Sequence, residues 1–535
     1  MTIIGKGENR NFDNPDIHPN LGNKDSLNKR YFFKLSSNFL GLIISVITQL
    51  IIPRGLGPKA YGDFNFLTNF FTQVVGFLDM GTSTCFYTNI SRNPEEHSLI
   101  LFYLYFIAFV SFFVIGFVLL VHFSGIHETI WIGQNLVYIY LAAGWGLLSW
   151  FAQILGTMAD AYGLTVPAEK VRMLQRISGL VFIVLLYLYN QIYLPQIFFY
   201  NYFILLFLII VLIGVIGSNV HLAKKNLRLS WDSAKKYLKV FFNYSHPLFI
   251  IALFGLVGGI FDRWLLQYFG GSIQQGFYSL SYQIGTICFL FTGAMTPLLM
   301  REYSILHGTN NLNEMGRLFK RYVPILYAIA AYFSCFLMVQ AQNVVRIIGG
   351  SAFQGSIMAV AIMSLYPVHQ TYGQLTGSLF YATGRTKLYR NITVIFSLVS
   401  LPLTYFMIAP FDKFGLNAGA TGLAIKMVII NIIAVNVQLY FNTKLLHLSY
   451  LHYLVHQIGC LFFFTGLAAM SALVANYLFA DGGLYDFILS GIIYTMIVIV
   501  SVYFKPEILD LKSKDVKFLV QLIRNRFTDV TQDKC

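Results

Sequence analysis

The chain has 535 residues, of which 56% are hydrophobic and only 11% are charged, and its formal net charge is +14. Charged residues are about half as frequent as in an average soluble domain, so most of the chain cannot face water. Long apolar runs recur with short polar breaks from Leu35 almost to Lys505, which excludes a soluble multidomain protein and predicts an all-α polytopic membrane protein.

The motif content argues against familiar enzyme chemistry. The sequence contains no GxxxxGK[ST] phosphate-binding loop, no GxSxG elbow and no HExxH pair. Its five cysteines are scattered, without a CxxC pair or a His/Cys cluster. We therefore expect a transporter with no catalytic residues, no cofactor and no metal site.

Windows of about 20 residues predict fourteen membrane helices after a polar N-terminal tail, residues 1–34, that has no apolar core and is therefore not a cleavable signal peptide. The predicted spans lie near 35–53, 63–88, 98–121, 129–156, 171–190, 196–217, 238–261, 275–300, 322–345, 355–381, 391–410, 417–442, 453–479 and 484–504.

Basic residues orient these spans, because short cytoplasmic loops collect Lys and Arg. Of the 37 Lys and Arg residues, thirty-one fall in the segments that face inside if the N-terminus is inside, and five fall in the outside loops. The sequence thus predicts that both termini are cytoplasmic. The positive charge follows from this topology, so we expect no nucleic-acid partner; the basic stretch from Lys224 to Lys239 is expected to lie against anionic membrane lipids.

A short repeat links the two halves of the chain. Gly57-Pro-Lys-Ala-Tyr-Gly62-Asp-Phe64 and Gly271-Ser-Ile-Gln-Gln-Gly276-Phe-Tyr278 share glycine, glycine and an aromatic residue at a constant offset of 214. Both motifs follow an odd-numbered helix, as a duplicated six-helix unit requires. The predicted organisation is an N-terminal six-helix lobe at 35–220, a basic linker at 221–237, a C-terminal six-helix lobe at 238–445, two extra helices at 446–504 and a cytoplasmic tail at 505–535.

Several stretches resemble Wzx-type polysaccharide flippases, which belong to the same superfamily as the lipid II flippases and the MATE multidrug antiporters. They include Arg54-Gly-Leu-Gly-Pro-Lys-Ala-Tyr-Gly-Asp-Phe, Leu78-Asp-Met-Gly81, Asp262-Arg-Trp-Leu-Leu and Gly276-Phe-Tyr-Ser-Leu-Ser-Tyr282. Similar stretches begin at Ile348, Ala382 and Gly415, so the resemblance runs across nearly the whole chain.

This resemblance implies two pseudo-symmetric lobes in a MATE-like V, which open alternately to the two faces of a bacterial inner membrane, and two additional helices. The implied cargo is an undecaprenyl-diphosphate-linked oligosaccharide, moved to the outer leaflet for surface polysaccharide biosynthesis. A polysaccharide polymerase and glycosyltransferases are candidate protein partners. Two alternatives stay open: a cation-coupled drug antiporter of the MATE type and, from another class, a membrane-embedded glycosyltransferase or ligase.

Four cations are candidates for binding the anionic head of such a cargo. Arg54 closes the first span and matches an arginine in lipid II flippases, Arg263 ends the seventh span, Lys426 stands alone among apolar residues, and Arg346 flanks the outer mouth. Guanidinium forks match phosphate oxygens, and Asp262 would hold Arg263 in place. Each cation has a structural alternative, as an interfacial anchor, a snorkelling side chain or a loop-capping pair.

Two acids within or near the spans, Asp79 and Asp262, are candidate coupling groups or structural groups. Lys426 is also a candidate coupling group. Arg172 and Arg176 open the fifth helix on one helical face, where they attract an anionic headgroup or serve only as orientation determinants.

Overall fold

A computed structural model describes residues 27–220, 229–478 and 483–506. Most of the N-terminal tail, the linker residues 221–228 and the C-terminal tail from 507 lie outside the described residues. Within the described part the chain is helical and contains no strand. Its α-helices are α1 Leu27–Asp79, α2 Thr82–Arg92, α3 His97–Phe123, α4 His127–Ile130, α5 Leu136–Ala161, α6 Thr165–Leu188, α7 Leu194–Val220, α8 Trp231–Ser245, α9 Phe249–Thr286, α10 Leu290–Gly308, α11 Leu312–Val339, α12 Ala341–Ile348, α13 Ile357–Met363, α14 Tyr366–Ala382, α15 Thr386–Ile408, α16 Gly419–Leu445, α17 Tyr450–Leu478 and α18 Leu484–Phe504.

Twelve helical segments among the described residues are long and apolar enough to cross a membrane. Two of them, with 44 and 41 residues, are about twice the length that a bilayer needs. Each is divided by a glycine with non-helical backbone, Gly57 (φ 70°) in α1 and Gly271 (φ 69°) in α9. Counting the two halves of each separately gives fourteen spanning segments, in agreement with the prediction.

The seventh predicted span, 238–261, is wrong in its boundaries. The structure has a separate amphipathic helix, α8, that begins after the N-cap Ser230, and the membrane helix starts only at Phe249. Apolar residues of α8 extended the hydropathy window toward the N-terminus. Asp262 and Arg263 therefore lie inside the first half of α9, two turns before Gly271, and not at its end.

The second predicted span, 63–88, is interrupted. Met80 and Gly81 have positive φ, 41° and 79°, and separate α1 from α2. Such a left-handed pair ends one helix and lets the next begin in a new direction.

Two groups of helices form the lobes. Buried residues of α1 through α8 make one large apolar core, and those of α9 through α16 make others, against which α17 and α18 pack. The lobes meet along α1 and α9, the two kinked helices. This arrangement confirms the two pseudo-symmetric lobes with two added C-terminal helices. The end of each span that the charge distribution predicts to be outside is called the outer end below.

Candidate functional site

The repeated glycine motifs form the contact between the lobes at the outer end. A Cβ atom at Gly62 would collide with the carbonyl oxygen of Ser272, and one at Gly276 would collide with the carbonyl oxygen of Pro58. Ser272 and Pro58 are themselves related by the offset of 214. The two contacts are therefore equivalent under a local twofold axis, and only glycine lets the backbones approach so closely. We call these four residues the glycine gate.

Side chains of α9 extend this contact. The indole Nε1 of Trp264 donates a hydrogen bond to the carbonyl oxygen of Thr129 at 3.0 Å, and Nε2 of Gln267 donates to that of Ile132 at 3.0 Å. Both acceptors lie in the connection between α3 and α5 of the N-terminal lobe. These bonds and the glycine gate hold the lobes together at the outer end.

Arg263 lies directly below the glycine gate. Its Nη1 donates to Oγ of Ser279 at 2.6 Å and to Oε1 of Gln275 at 3.2 Å, and its guanidinium lies 4.5 Å from the ring centroid of Tyr278. Polar and aromatic partners thus stabilise a cation at membrane depth. Arg263 shares a face of α9 with Gln267, which contacts the other lobe, so it lies at the lobe interface.

Neutral side chains complete this cluster from the N-terminal lobe. The hydroxyl of Tyr61 donates to Oε1 of Gln283 at 2.6 Å and lies 3.5 Å from Oε1 of Gln49. Nε2 of Gln283 donates to Oδ1 of Asn65 at 3.4 Å. Tyr61 is also within electrostatic range of Arg263. Polar groups of both lobes thus bond to one another here, and one of them, Tyr61, lies near Arg263.

Sequence reasoning missed these neutral partners, because the search was for ionisable residues. A signal was available in the repeat itself. Gln49 and Arg263 are related by the offset of 214, as are Tyr61 and Gln275. The cluster is therefore two copies of one arrangement, in which only the C-terminal copy carries a charge.

The sequence predicts that Asp262 pairs with Arg263. In the structure Asp262 pairs with Lys426 instead. Nζ of Lys426 lies 2.6 Å from Oδ2 of Asp262, and the hydroxyl of Thr404 donates to Oδ1 at 2.7 Å. Consecutive residues of a helix point about 100° apart, so Asp262 faces the interior of its own lobe while Arg263 faces the interface. The Lys426 side chain is only 3% exposed. Lys426 is therefore enclosed in the C-terminal lobe and is not a cation of the interface.

Arg54 and Arg346 come together near the outer end. Nη2 of Arg54 donates to the backbone carbonyl of Arg346 at 2.9 Å, and both side chains are exposed. This places the two predicted outer cations side by side.

Asp79 accepts hydrogen bonds at the break between α1 and α2. Its carboxylate accepts from the hydroxyls of Thr82 (3.0 Å) and Ser83 (2.9 Å), from the backbone N–H of Ser83 (3.1 Å) and from Nε1 of Trp150 (3.2 Å). These contacts favour the structural alternative, in which Asp79 fixes the turn and satisfies free N–H groups at the start of α2.

An apolar groove of about 940 Å³ lies between α1, α9, α11, α12 and α18. Its walls include Leu42, Val46, Ile284, Ile287, Phe336 and Ile492. Tyr332 and Tyr494 stack at its side with ring centroids 4.9 Å apart. The groove is apolar and lies beside the lobe interface.

A family model described as polysaccharide biosynthesis protein matches residues 27–298. The chain belongs to this family. A comparison with curated protein sequences gives no match. Among solved structures, the chain is similar to the lipid II flippase MurJ in an inward closed conformation, with a TM-score of 0.65 and 14% identity over 89% of this chain and 100% of that chain.

MATE multidrug resistance transporters of the MOP superfamily also share the fold of this polysaccharide biosynthesis protein. An inward-facing structure has a TM-score of 0.56 and 16% identity over 76% of this chain and 94% of that chain. An outward-facing structure has a TM-score of 0.53 and 15% identity over 79% and 94%. These findings confirm the resemblance to flippases of the MATE-like superfamily.

The glycine gate predicts a conformational effect of Gly62→Leu. The added side chain should separate the outer ends of the lobes, because its Cβ would overlap the carbonyl of Ser272. Spin labels at Glu128→Cys and Lys413→Cys should then report longer distances by double electron–electron resonance. Gly76→Leu is the matched control, because a Cβ at Gly76 of the same helix meets open space; an identical distance distribution in both variants would contradict the prediction.

The pair of Asp262 and Lys426 predicts a stability effect. Lys426→Met leaves a mostly buried carboxylate without its cation and should cost about 3–5 kcal/mol. The double variant Asp262→Leu/Lys426→Met removes both charges and should recover most of that loss. Thermal unfolding in lipid nanodiscs measures both effects; equal destabilisation by the single and double variants would show that packing and not charge pairing is at issue.

Proposed function

We propose that this protein flips an undecaprenyl-diphosphate-linked oligosaccharide from the cytoplasmic to the outer leaflet of the bacterial inner membrane, for surface polysaccharide biosynthesis. The observation that carries the proposal is Arg263, a cation at the interface between the lobes whose hydrogen-bond partners, Gln275 and Ser279, are neutral side chains of its own helix. Family membership and the shared fold with a lipid II flippase support the same conclusion.

A diphosphate and its sugars cannot cross about 30 Å of hydrocarbon without polar contacts. Arg263 supplies one such contact, because a guanidinium binds phosphate oxygens through parallel N–H groups. Ser279 and Gln275 each bind the same nitrogen, Nη1. In this proposal the remaining N–H groups bind the diphosphate, and hydroxyl and amide groups of Tyr61, Gln283 and Asn65 contact the sugars.

The lipid tail has a separate path. The groove beside α1 and α9 has a volume of about 940 Å³ and is lined by apolar side chains, so part of a polyprenyl chain would meet hydrocarbon there as it does in the bilayer. The head would cross between the lobes while the tail stays in the groove or the bilayer.

Movement follows the alternating-access scheme of repeat transporters. The outer end is closed by the glycine gate and by the bonds from Trp264 and Gln267. Release to the outer leaflet requires these contacts to break. Inward-facing and outward-facing structures of the MATE fold support such a change.

Asp262 and Lys426 are the proposed coupling groups, together with Thr404 of a third helix. Separation of this ion pair would loosen the packing of α9 against α15 and α16. The membrane potential is a further source of energy, worth about 2.3 kcal/mol per charge per 100 mV. Both termini are proposed to be cytoplasmic, and a polysaccharide polymerase and glycosyltransferases are proposed partners.

The antiporter alternative requires carboxylates that are free to bind a cationic drug. Among the described carboxylates within the spans, Asp79 is surrounded by donors, and Asp262, Glu169 and Glu314 are paired with Lys426, Arg172 and Arg317. Asp63 accepts from Gln134, Asp486 accepts from Asn343 at 2.5 Å, and Asp160 lies 3.7 Å from Nζ of Lys34. An unpaired cation at the interface favours an anionic cargo. The glycosyltransferase alternative gains no such support.

The test is flipping by the purified protein in liposomes that contain an undecaprenyl-diphosphate-linked glycan. Arg263→Gln should lower the flipping rate at least tenfold, and Arg263→Lys should restore only part of it because the fork is lost. Arg385→Gln, which removes an exposed arginine, is the control. In a deletion strain, lipid-linked units should accumulate in the inner leaflet; drug hypersensitivity with normal surface polysaccharide would contradict the proposal.

A further inference from the structure

Two arginines at the inner end of α6 form a second cationic cluster that the proposed function has not used. Glu169, Arg172 and Arg176 lie on one face of this helix. The guanidinium of Arg172 pairs with the carboxylate of Glu169, and Nη1 of Arg176 donates to the carbonyl and hydroxyl oxygens of Ser37 in α1. The cluster therefore joins the first and fifth spans of the N-terminal lobe.

The lipid-facing residues of both helices lie on the opposite side. On α6 these are Leu174, Ile177 and Val181, each at least 46% exposed, and they stand roughly half a helical turn away from the arginines. On α1 the exposed residue Phe39 likewise points away from Ser37. Arginines that served only to orient the helix would extend toward water and lipid headgroups, so their position inside the lobe calls for another role.

The sequence makes room for both guanidinium groups. A Cβ at Gly41 of α1 would collide with the guanidinium of Arg176, and a Cβ at Gly156 of α5 would collide with that of Arg172. Glycine thus stands at each position where a neighbouring helix passes a guanidinium. The two arginines are held in defined places, which is what a binding site requires.

The charges of this cluster are not balanced. Glu169 is 2% exposed and is committed to Arg172, and Asp160 lies 3.7 Å from Nζ of Lys34. Arg176 donates its hydrogen bonds to neutral oxygens of Ser37. A partly buried guanidinium beside neutral acceptors favours the approach of an anion, and the Arg172 side chain, 25% exposed, remains within reach of solvent.

We propose that Arg172 and Arg176 form an entry site that binds the phosphate groups of the lipid-linked cargo at the cytoplasmic side, before the head reaches Arg263. This inference rests on the proposed function, since it assigns the same cargo to a second position. The ligand chemistry is a phosphate or diphosphate group; its lipid-linked form is the source we infer, and free pyrophosphate is the alternative.

The experiment measures equilibrium binding of undecaprenyl diphosphate, of inorganic pyrophosphate and of undecaprenol to the full chain in detergent by microscale thermophoresis. Arg176→Gln should weaken binding of undecaprenyl diphosphate at least tenfold and leave undecaprenol unchanged. Gly41→Leu should also weaken it, because this change displaces the guanidinium without removing its charge. Controls are Arg317→Gln, which removes an arginine with a 77% exposed side chain, and Gly214→Leu, where a Cβ meets open space.

Variants that bind undecaprenyl diphosphate as the wild type does would overturn the entry site, and so would a loss confined to inorganic pyrophosphate. If Arg176→Gln fails to fold, Arg176→Lys, which keeps the charge but not the fork, decides the matter by the same measurement. Flipping separates the two proposals. If the wild type flips the lipid and Arg176→Gln binds and flips as the wild type does, only the entry site is disproved. If the wild type binds the lipid but does not flip it, the proposed function is disproved and the entry site stands.

Discussion

Hydrocarbon does not solvate charge, and this constraint governs where each ionisable group of the spans lies. Asp262 and Lys426 neutralise one another inside the C-terminal lobe, Asp79 is surrounded by hydrogen-bond donors, and Arg263 is held by Ser279, Gln275 and the ring of Tyr278. The charge of Asp262 is balanced by a cation, and that of Asp79 is stabilised by several hydrogen-bond donors. Arg263 alone among them keeps a net charge with neutral partners, and it does so at the interface. A charge held in this way is unsatisfied by the protein itself and favours an anionic ligand.

The glycine gate is the contact at which the two lobes that carry these charges can separate. At the glycine gate itself the backbones touch each other, while apolar side chains of both lobes, among them Tyr61, Leu280 and Phe353, pack beside this contact. The bonds from Trp264 and Gln267 end on backbone carbonyls of the other lobe, and water can replace such acceptors when the lobes part. The interior of each lobe is different, because large apolar cores keep its helices together.

Much of this fold could be predicted from the sequence. Helices that cross a bilayer need long apolar segments, and the duplication of one six-helix unit left the same glycine motif in both lobes. The count of spans and the two lobes followed from those signals. Helix boundaries did not, since hydropathy cannot separate the apolar face of α8 from the membrane helix that follows it. That error placed Asp262 and Arg263 at the end of the seventh span instead of inside it. The partners of each depend on which face of α9 they occupy, and this is set by packing against two different lobes. Tyr61 and Gln283 carry no charge, so no search for ionisable groups could find them.

The duplication also explains why binding and movement can be divided between the halves. The backbone contacts at Gly62 and Gly276 obey the local twofold axis, and so does the polar scaffold of Gln49 and Tyr61 against Arg263 and Gln275. At one pair of equivalent positions the symmetry is broken, with an amide in the N-terminal lobe and a guanidinium in the C-terminal lobe. A symmetric frame allows the lobes to rock in either sense at similar cost, whereas a cation in one lobe only moves with that lobe and carries a bound anion in the same direction. The N-terminal lobe has its own cations further inward, at Arg172 and Arg176. In the two proposals above, an anionic head would meet positive charge first at Arg172 and Arg176 and then at Arg263, so that crossing the membrane would be a transfer between two sites instead of diffusion through an apolar barrier.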